Sequence, residues 1–120
     1  MKKLLLATTA AFALAGGAHA EDIKIGIILG FTGPLESITP AMAAGAELAI
    51  AEVNAAGPLL GGGKTVVPVR ADSTCIDAAA AVAAAERLVT SERVNAIMGA
   101  DCSGVTGAIL QNVARPNGVV

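Results

Sequence analysis

Apolar positions recur along this chain with two alternating periods, and the changes between them mark out its elements. Ile23 to Leu29 (IKIGIIL) is a β-branched run closed by Gly30, which predicts a first strand. Gly30 to Pro34 interrupts it with two glycines and a proline, so a loop follows. Thr39-Pro40 then has the form of an N-cap with proline at the first helical position. Met42, Ala46, Ala49, Ile50 and Val53 succeed it at helical spacing, up to a stop at Gly57. Thr65 to Ala71 (TVVPVRA) predicts a second strand, at an edge or bulged, because Pro68 cannot donate to a sheet ladder. Asp77 can cap an alanine-rich second helix with Val82, Ala85, Leu88 and Val89 on one face. Val94 to Met98 (VNAIM) is a third strand, apolar enough to be central. A third helix begins at Ser103, with Val105, Ile109 and Val113 as its buried stripe and Pro116 as its stop. Asn117-Gly118 turns the chain into Val119-Val120, the start of a further strand.

Strands alternating with helices predict an α/β fold, a parallel sheet with right-handed crossovers and helices on its faces. Ligands bind such sheets in the crevice outside the carboxyl ends of the strands. Those ends are Gly30–Ser37, Ala71–Ile76 and Gly99–Ser103, and Cys75 and Cys102 fall in the second and third. Their common edge predicts a disulfide between neighbouring loops; free or intermolecular thiols are the alternative.

The amino terminus sets the compartment. Lys2-Lys3, the apolar run Leu4 to Ala15 and Ala18-His19-Ala20 have the order of a cleaved export signal over residues 1–20, too short to span a bilayer. Residues 21–120 then form the mature, periplasmic chain, with six basic against ten acidic residues, a net charge of −4. Such a balance without basic clusters argues against nucleic acid and anionic lipid. Cleavage removes the single histidine, His19, and leaves Phe31 as the sole aromatic. No Ser-His-Asp or Cys-His arrangement and no histidine-based zinc site can then be assembled. The carboxylates are spaced as solvated helix faces and loop ends, so the expectation is a chain without catalytic residues, metal or cofactor.

Two stretches approach the phosphate loop G-x-x-x-x-G-K-[ST]. Pro58 to Thr65 (PLLGGGKT) lacks the first glycine and runs from helix to strand, the reverse of the required order; it reads as a connection. Gly99 to Thr106 (GADCSGVT) has the strand–loop–helix context, but Val105 stands where the lysine is needed. What survives is a helix start with unpaired amides at Ser103 and Gly104 and a serine hydroxyl, suited to a small carboxylate. Ser103 capping its own helix is the other reading, and the two can coexist. In the Gly30–Ser37 loop, Phe31, Thr32, Leu35 and Glu36 are candidates to line the crevice, against an ordinary connection with Phe31 in the core. Asp101 reads as a solvated loop carboxylate.

Several of these segments, taken together in order, resemble one family. Ile23-Lys24-Ile25-Gly26-Ile27 leading to Thr32-Gly33-Pro34 resembles the start of the periplasmic branched-chain amino acid binding proteins of the leucine-binding type. Gly45 to Gly57 (GAELAIAEVNAAG), Asp72-Ser73-Thr74-Cys75, Ala81 to Val89 and Cys102-Ser103-Gly104-Val105-Thr106 are similar to it as well. The resemblance implies a type I periplasmic binding fold, two α/β lobes closing on a ligand about a hinge. It implies the solute receptor of an ABC importer, partnered by a membrane permease, with Ser103 holding the α-carboxylate of an amino acid and a Cys75–Cys102 bridge bracing the loop. After Thr32-Gly33-Pro34 the chain has Leu35 to Pro40 (LESITP) where many members carry small residues and a Tyr-Gly pair. The implied ligands are therefore branched-chain amino acids or related small carboxylates and amides. Because the family is several-fold longer, residues 21–120 are expected to be the N-terminal part of the first lobe. A ligand-sensing receptor domain of the same fold and the N-terminal part of an exported α/β enzyme are the alternatives.

Overall fold

The structure, a computed structural model, describes residues 21–57 and 63–120. The export-signal assignment to residues 1–20 and most of the Pro58–Thr65 connection lie outside the described residues.

Three strands, β1 (Ile23–Leu29), β2 (Val66–Asp72) and β3 (Ala96–Gly99), form a parallel sheet in the order β2-β1-β3. Ile23 pairs with Val66 and Leu29 with Asp72 on one side, and Ile25 to Ile28 pair with Ala96 to Gly99 on the other. β1 thus lies between β2 and β3 among the described residues, and its apolar sequence, with Lys24 as the one charge, matches the burial of Ile27, Ile28 and Leu29 on both faces. Ile27 and Leu29 pack with Ala43 of α1 (Thr39–Ala55) on one face, joined by Phe31, Ala46 and Ile50. Ile28 faces the opposite way, into a core with Ala81, Ala85 and Leu88 of α2 (Ala78–Thr90) and Val105, Ile109 and Val113 beyond β3. The period-two alternation of β1 thus assigns one helix to the first face and two to the second.

The edge position predicted for Pro68 is borne out, since β2 has no further strand beside it among the described residues. Its outer backbone groups are partly taken by side chains. Asn54 receives the Val66 amide on its Oδ1 (2.8 Å) and donates from Nδ2 to the Val66 carbonyl (2.8 Å). Arg87 donates to the Arg70 carbonyl at 3.3 Å. β3 starts two residues later than Val94, because Asn95 first bonds back to Lys24 through both its amide and its side chain. On the far side of β3, the Ile97 amide donates to the Val120 carbonyl at 2.7 Å.

The helix starts divide into one expected and one corrected case. Asp77 caps α2 as predicted, its Oδ1 accepting from the amides of Ala79 (2.9 Å) and Ala80 (3.0 Å), worth about 1 kcal/mol. Thr39, however, is not the cap of α1: Ile38 holds that position, and the Thr39 hydroxyl points inward and donates to the Gly30 carbonyl at 2.9 Å. Burying that bond turns the helix so that Thr39 and Ala43 face the sheet and the expected Met42 and Ala49 face solvent.

The third helical region runs through α3 (Ser103–Ile109), a π-helical turn at Leu110–Ala114 and a short α4 (Arg115–Asn117). The stripe Val105, Ile109 and Val113 is buried as predicted. Pro116 does not stop the helix; it sits inside the last turn, which ends at the left-handed Gly118 (φ +64°). A proline ring would meet the carbonyl four residues back in a regular helix, and the wider π turn just before it relieves that crowding. No helix among the described residues is long and apolar enough to cross a membrane.

Candidate ligand-binding site

At the carboxyl ends of the strands, three loops are drawn together by more links than the sequence suggested. Cys75 and Cys102 are bridged, with Cα atoms 5.2 Å apart. Asp101 is not a solvated carboxylate. Its Oδ2 accepts from the buried Gly30 amide at 3.0 Å and its Oδ1 from the buried Ser73 hydroxyl at 3.2 Å, so one side chain joins the ends of all three strands. Asp72 accepts from the Thr32 hydroxyl at 2.6 Å, the Thr32 amide at 3.3 Å and the Thr74 amide at 2.8 Å. These bonds hold Thr74 and Cys75 at φ +57° and +70°, left-handed conformations that cost a non-glycine residue about 1–2 kcal/mol each. Gly33 lies against this turn at φ +88°; a Cβ there would meet the Thr74 carbonyl oxygen at 2.7 Å, which explains glycine between Thr32 and Pro34.

Partial burial works to raise the Asp72 pKa, but hydrogen bonds from the Thr32 hydroxyl and the amides of Thr74, Thr32 and Phe31 outweigh it and hold the carboxyl below its ordinary 3.8. A depressed folded pKa contributes stability that is complete above the unfolded value and is lost as pH falls through the lower folded value. Urea unfolding should therefore show Asp72→Asn less stable than wild type near neutrality, with the gap closing below about pH 3.8. A gap of equal size at both pH values would remove Asp72 from the acid limb.

Ser103 occupies the first turn of α3, but Cys102 is the N-cap, so the hydroxyl does not cap its own helix. Among the described residues the Ser103 hydroxyl has no hydrogen-bond partner, and Ser103 and Gly104 are exposed. Their amides lie in the first turn, where no preceding carbonyl of the helix is in reach. The other sequence candidates are spread over the Gly30–Ser37 loop. Phe31 packs on the core of α1 and β1, with the Arg70 guanidinium carbon 5.5 Å from its ring centre. Arg70 is itself paired with Glu47, and this bond holds the Glu47 carboxyl below its usual range. Leu35 is half-buried, its carbonyl accepting from the amides of Ile38 and Thr39, and Glu36 is exposed. Sequence reasoning missed Asp101 and Ser73. Asp101 directly precedes the bridged cysteine at a strand end, a position that favours a contact across the sheet edge and could have drawn attention to it.

The strand ends of a parallel α/β sheet, here cross-linked beside an open helix start, are where proteins of this architecture bind their ligands. The model of the family described as periplasmic binding protein matches residues 22–120, and the chain belongs to that family. It is 40% identical over 105 residues to the Leu/Ile/Val-binding protein homolog 7 of Brucella melitensis, covering 87% of this chain and 25% of that protein. It is 36% identical over 104 residues to the Leu/Ile/Val/Thr-binding protein of Salmonella typhimurium, covering 87% and 27%. Among solved structures, the branched-chain amino acid transporter substrate-binding protein LivJ of Streptococcus pneumoniae, in complex with isoleucine, superposes with a TM-score of 0.71. That match is 37% identical and covers 82% of this chain and 27% of LivJ. The chain thus spans about a quarter of the length of these relatives. All three are named as binding proteins.

Proposed function

We propose that this chain belongs to the exported solute-binding component of an ABC importer for amino acids, branched-chain or closely related, and that residues 21–120 are part of its first lobe. A signal over residues 1–20 would deliver it to the periplasm, and a membrane permease would receive it there. One observation carries the reading: Ser103, at the carboxyl edge of the sheet, presents a hydroxyl without an intramolecular partner beside the open amides of the first helical turn. Two donors of this kind suit a carboxylate, and the turn's positive dipole end favours its charge. The names of the relatives support amino acids as the ligand class. In this reading Ser103 and Gly104 hold the α-carboxylate, and Phe31, Leu35 and Glu36 border the crevice on the side of β1.

The reading predicts that Ser103→Ala, in the protein carrying both lobes, weakens leucine, isoleucine or valine binding by about 1–3 kcal/mol, the cost of leaving a carboxylate oxygen without its partner once ligand and closed lobes exclude water. Titration calorimetry checks this, and unchanged affinity for all three would take Ser103 out of the site.

A further inference from the structure

The turn that presents Ser103 is anchored at each of its residues. Ala100 accepts on its carbonyl from the Thr106 hydroxyl at 3.1 Å, and Cys102 accepts from the same hydroxyl at 2.9 Å and from the Thr106 amide at 3.0 Å. Those bonds tie the turn only to its own helix. The turn continues directly from β3 and rests on the core through Ala100, Cys102 and Val105, and two side chains link it to the neighbouring loops, the Cys102 sulfur bonded to Cys75 and the Asp101 carboxylate bonded to Gly30 and Ser73. The disulfide links the turn to the β2 loop only, through the flexible side chain of a cystine. Asp101 adds direct bonds to the ends of both β1 and β2, and only through Asp101 is the turn hydrogen-bonded by a side chain to the β1 end.

We propose that Asp101 is the positioning residue of the ligand site: by holding the Gly30 amide and the Ser73 hydroxyl together, it sets the orientation in which Ser103 and Gly104 meet the ligand carboxylate. The inference rests on the reading of Ser103 given above. Asp101 does not touch the ligand; it acts through the turn. The chemistry of its partners makes the role separable from charge. The Gly30 amide can only donate, while the Ser73 hydroxyl both donates and accepts. Asparagine can therefore present its carbonyl to Gly30 and its amide nitrogen to Ser73 and keep both links, whereas alanine keeps neither.

The test is leucine titration calorimetry on the protein with both lobes, comparing wild type, Ser103→Ala, Asp101→Ala, Asp101→Asn and Val94→Ala, each with its thermal midpoint. Val94 is a buried core residue just ahead of β3, away from the strand-end loops, so its truncation controls for lost stability alone. Asp101→Ala is expected to weaken leucine binding about tenfold, and Asp101→Asn to stay within about threefold of wild type. Val94→Ala is expected to lower the midpoint with its dissociation constant unchanged. If Asp101→Ala lowers the midpoint and leaves affinity alone while Ser103→Ala weakens binding, the positioning role is overturned and the site reading stands. If Asp101→Asn is as weak as Asp101→Ala, the two-point hydrogen-bond account is overturned. Wild type that binds none of the common amino acids overturns the functional reading and the positioning role with it.

Discussion

Replacing Cys75 and Cys102 together by serine should lower the free energy of unfolding by about 3.5 kcal/mol, the chain-entropy value for closing the 27-residue separation between them. Thermal melts with and without a phosphine reductant check the result, with the double serine variant as the control that should not respond. The loss should also have a location. Thr74 and Cys75 are held in left-handed conformations, and the bonds of Thr74 to Asp72 and Asp77 would then have to restrain them. Hydrogen exchange should accelerate first in the Ser73–Asp77 turn and at the start of α3, ahead of β1. A melting temperature that ignores the reductant would mean that Asp101 and the core already fix these loops without the bridge.

Leu88→Ala should cost about 2–5 kcal/mol, the range for emptying a well-packed leucine site. Leu88 is fully buried at the point where α2 meets β1, and its carbonyl also receives the Val94 amide as the chain enters β3. The reason for its size lies across the contact. Gly26 has no side chain on this face of β1, and a Cβ there would come within 2.8 Å of Leu88 Cδ1. The leucine fills a space that the glycine leaves. Gly26→Ala alone should therefore destabilise by overpacking, about 1–3 kcal/mol. Placed in the Leu88→Ala background it should do the opposite and recover part of the loss. A double-mutant cycle by urea denaturation checks this, and strictly additive effects would show that the two positions do not share one volume.

Much of the architecture was legible because β1 and α2 carry unambiguous patterns: an isoleucine-rich run closed by a glycine, and an aspartate ahead of an alanine-rich helix. Pro68 located the edge through a property of the residue itself, its missing N–H. The errors share a different origin. Thr39 has the residue type and the neighbouring proline of a cap, yet its hydroxyl is taken by Gly30 on another element, a competition that local sequence cannot express. Pro116 was read as a stop because a π turn, which makes room for it, has no composition of its own. At the candidate site the cysteines and Ser103 stood out by type and position. Asp101 did not, because its partners Gly30 and Ser73 lie 71 and 28 residues away and become neighbours only when the three strands align.

The outer side of β2 has a consequence for the behaviour of the protein in a crowded compartment. A free strand edge is a template on which another chain can add by backbone pairing, the first step of aggregation. Here the Val66 amide and carbonyl are both occupied by the Asn54 side chain, Pro68 brings no N–H, and the Arg70 carbonyl is covered by Arg87. An incoming strand finds few of the groups it needs in register, and a proline rather than a donor in the middle. The same residues that close the helix-to-sheet packing on this flank thereby discourage self-association, leaving growth of the sheet to the side of β3, where Val120 already bonds to Ile97.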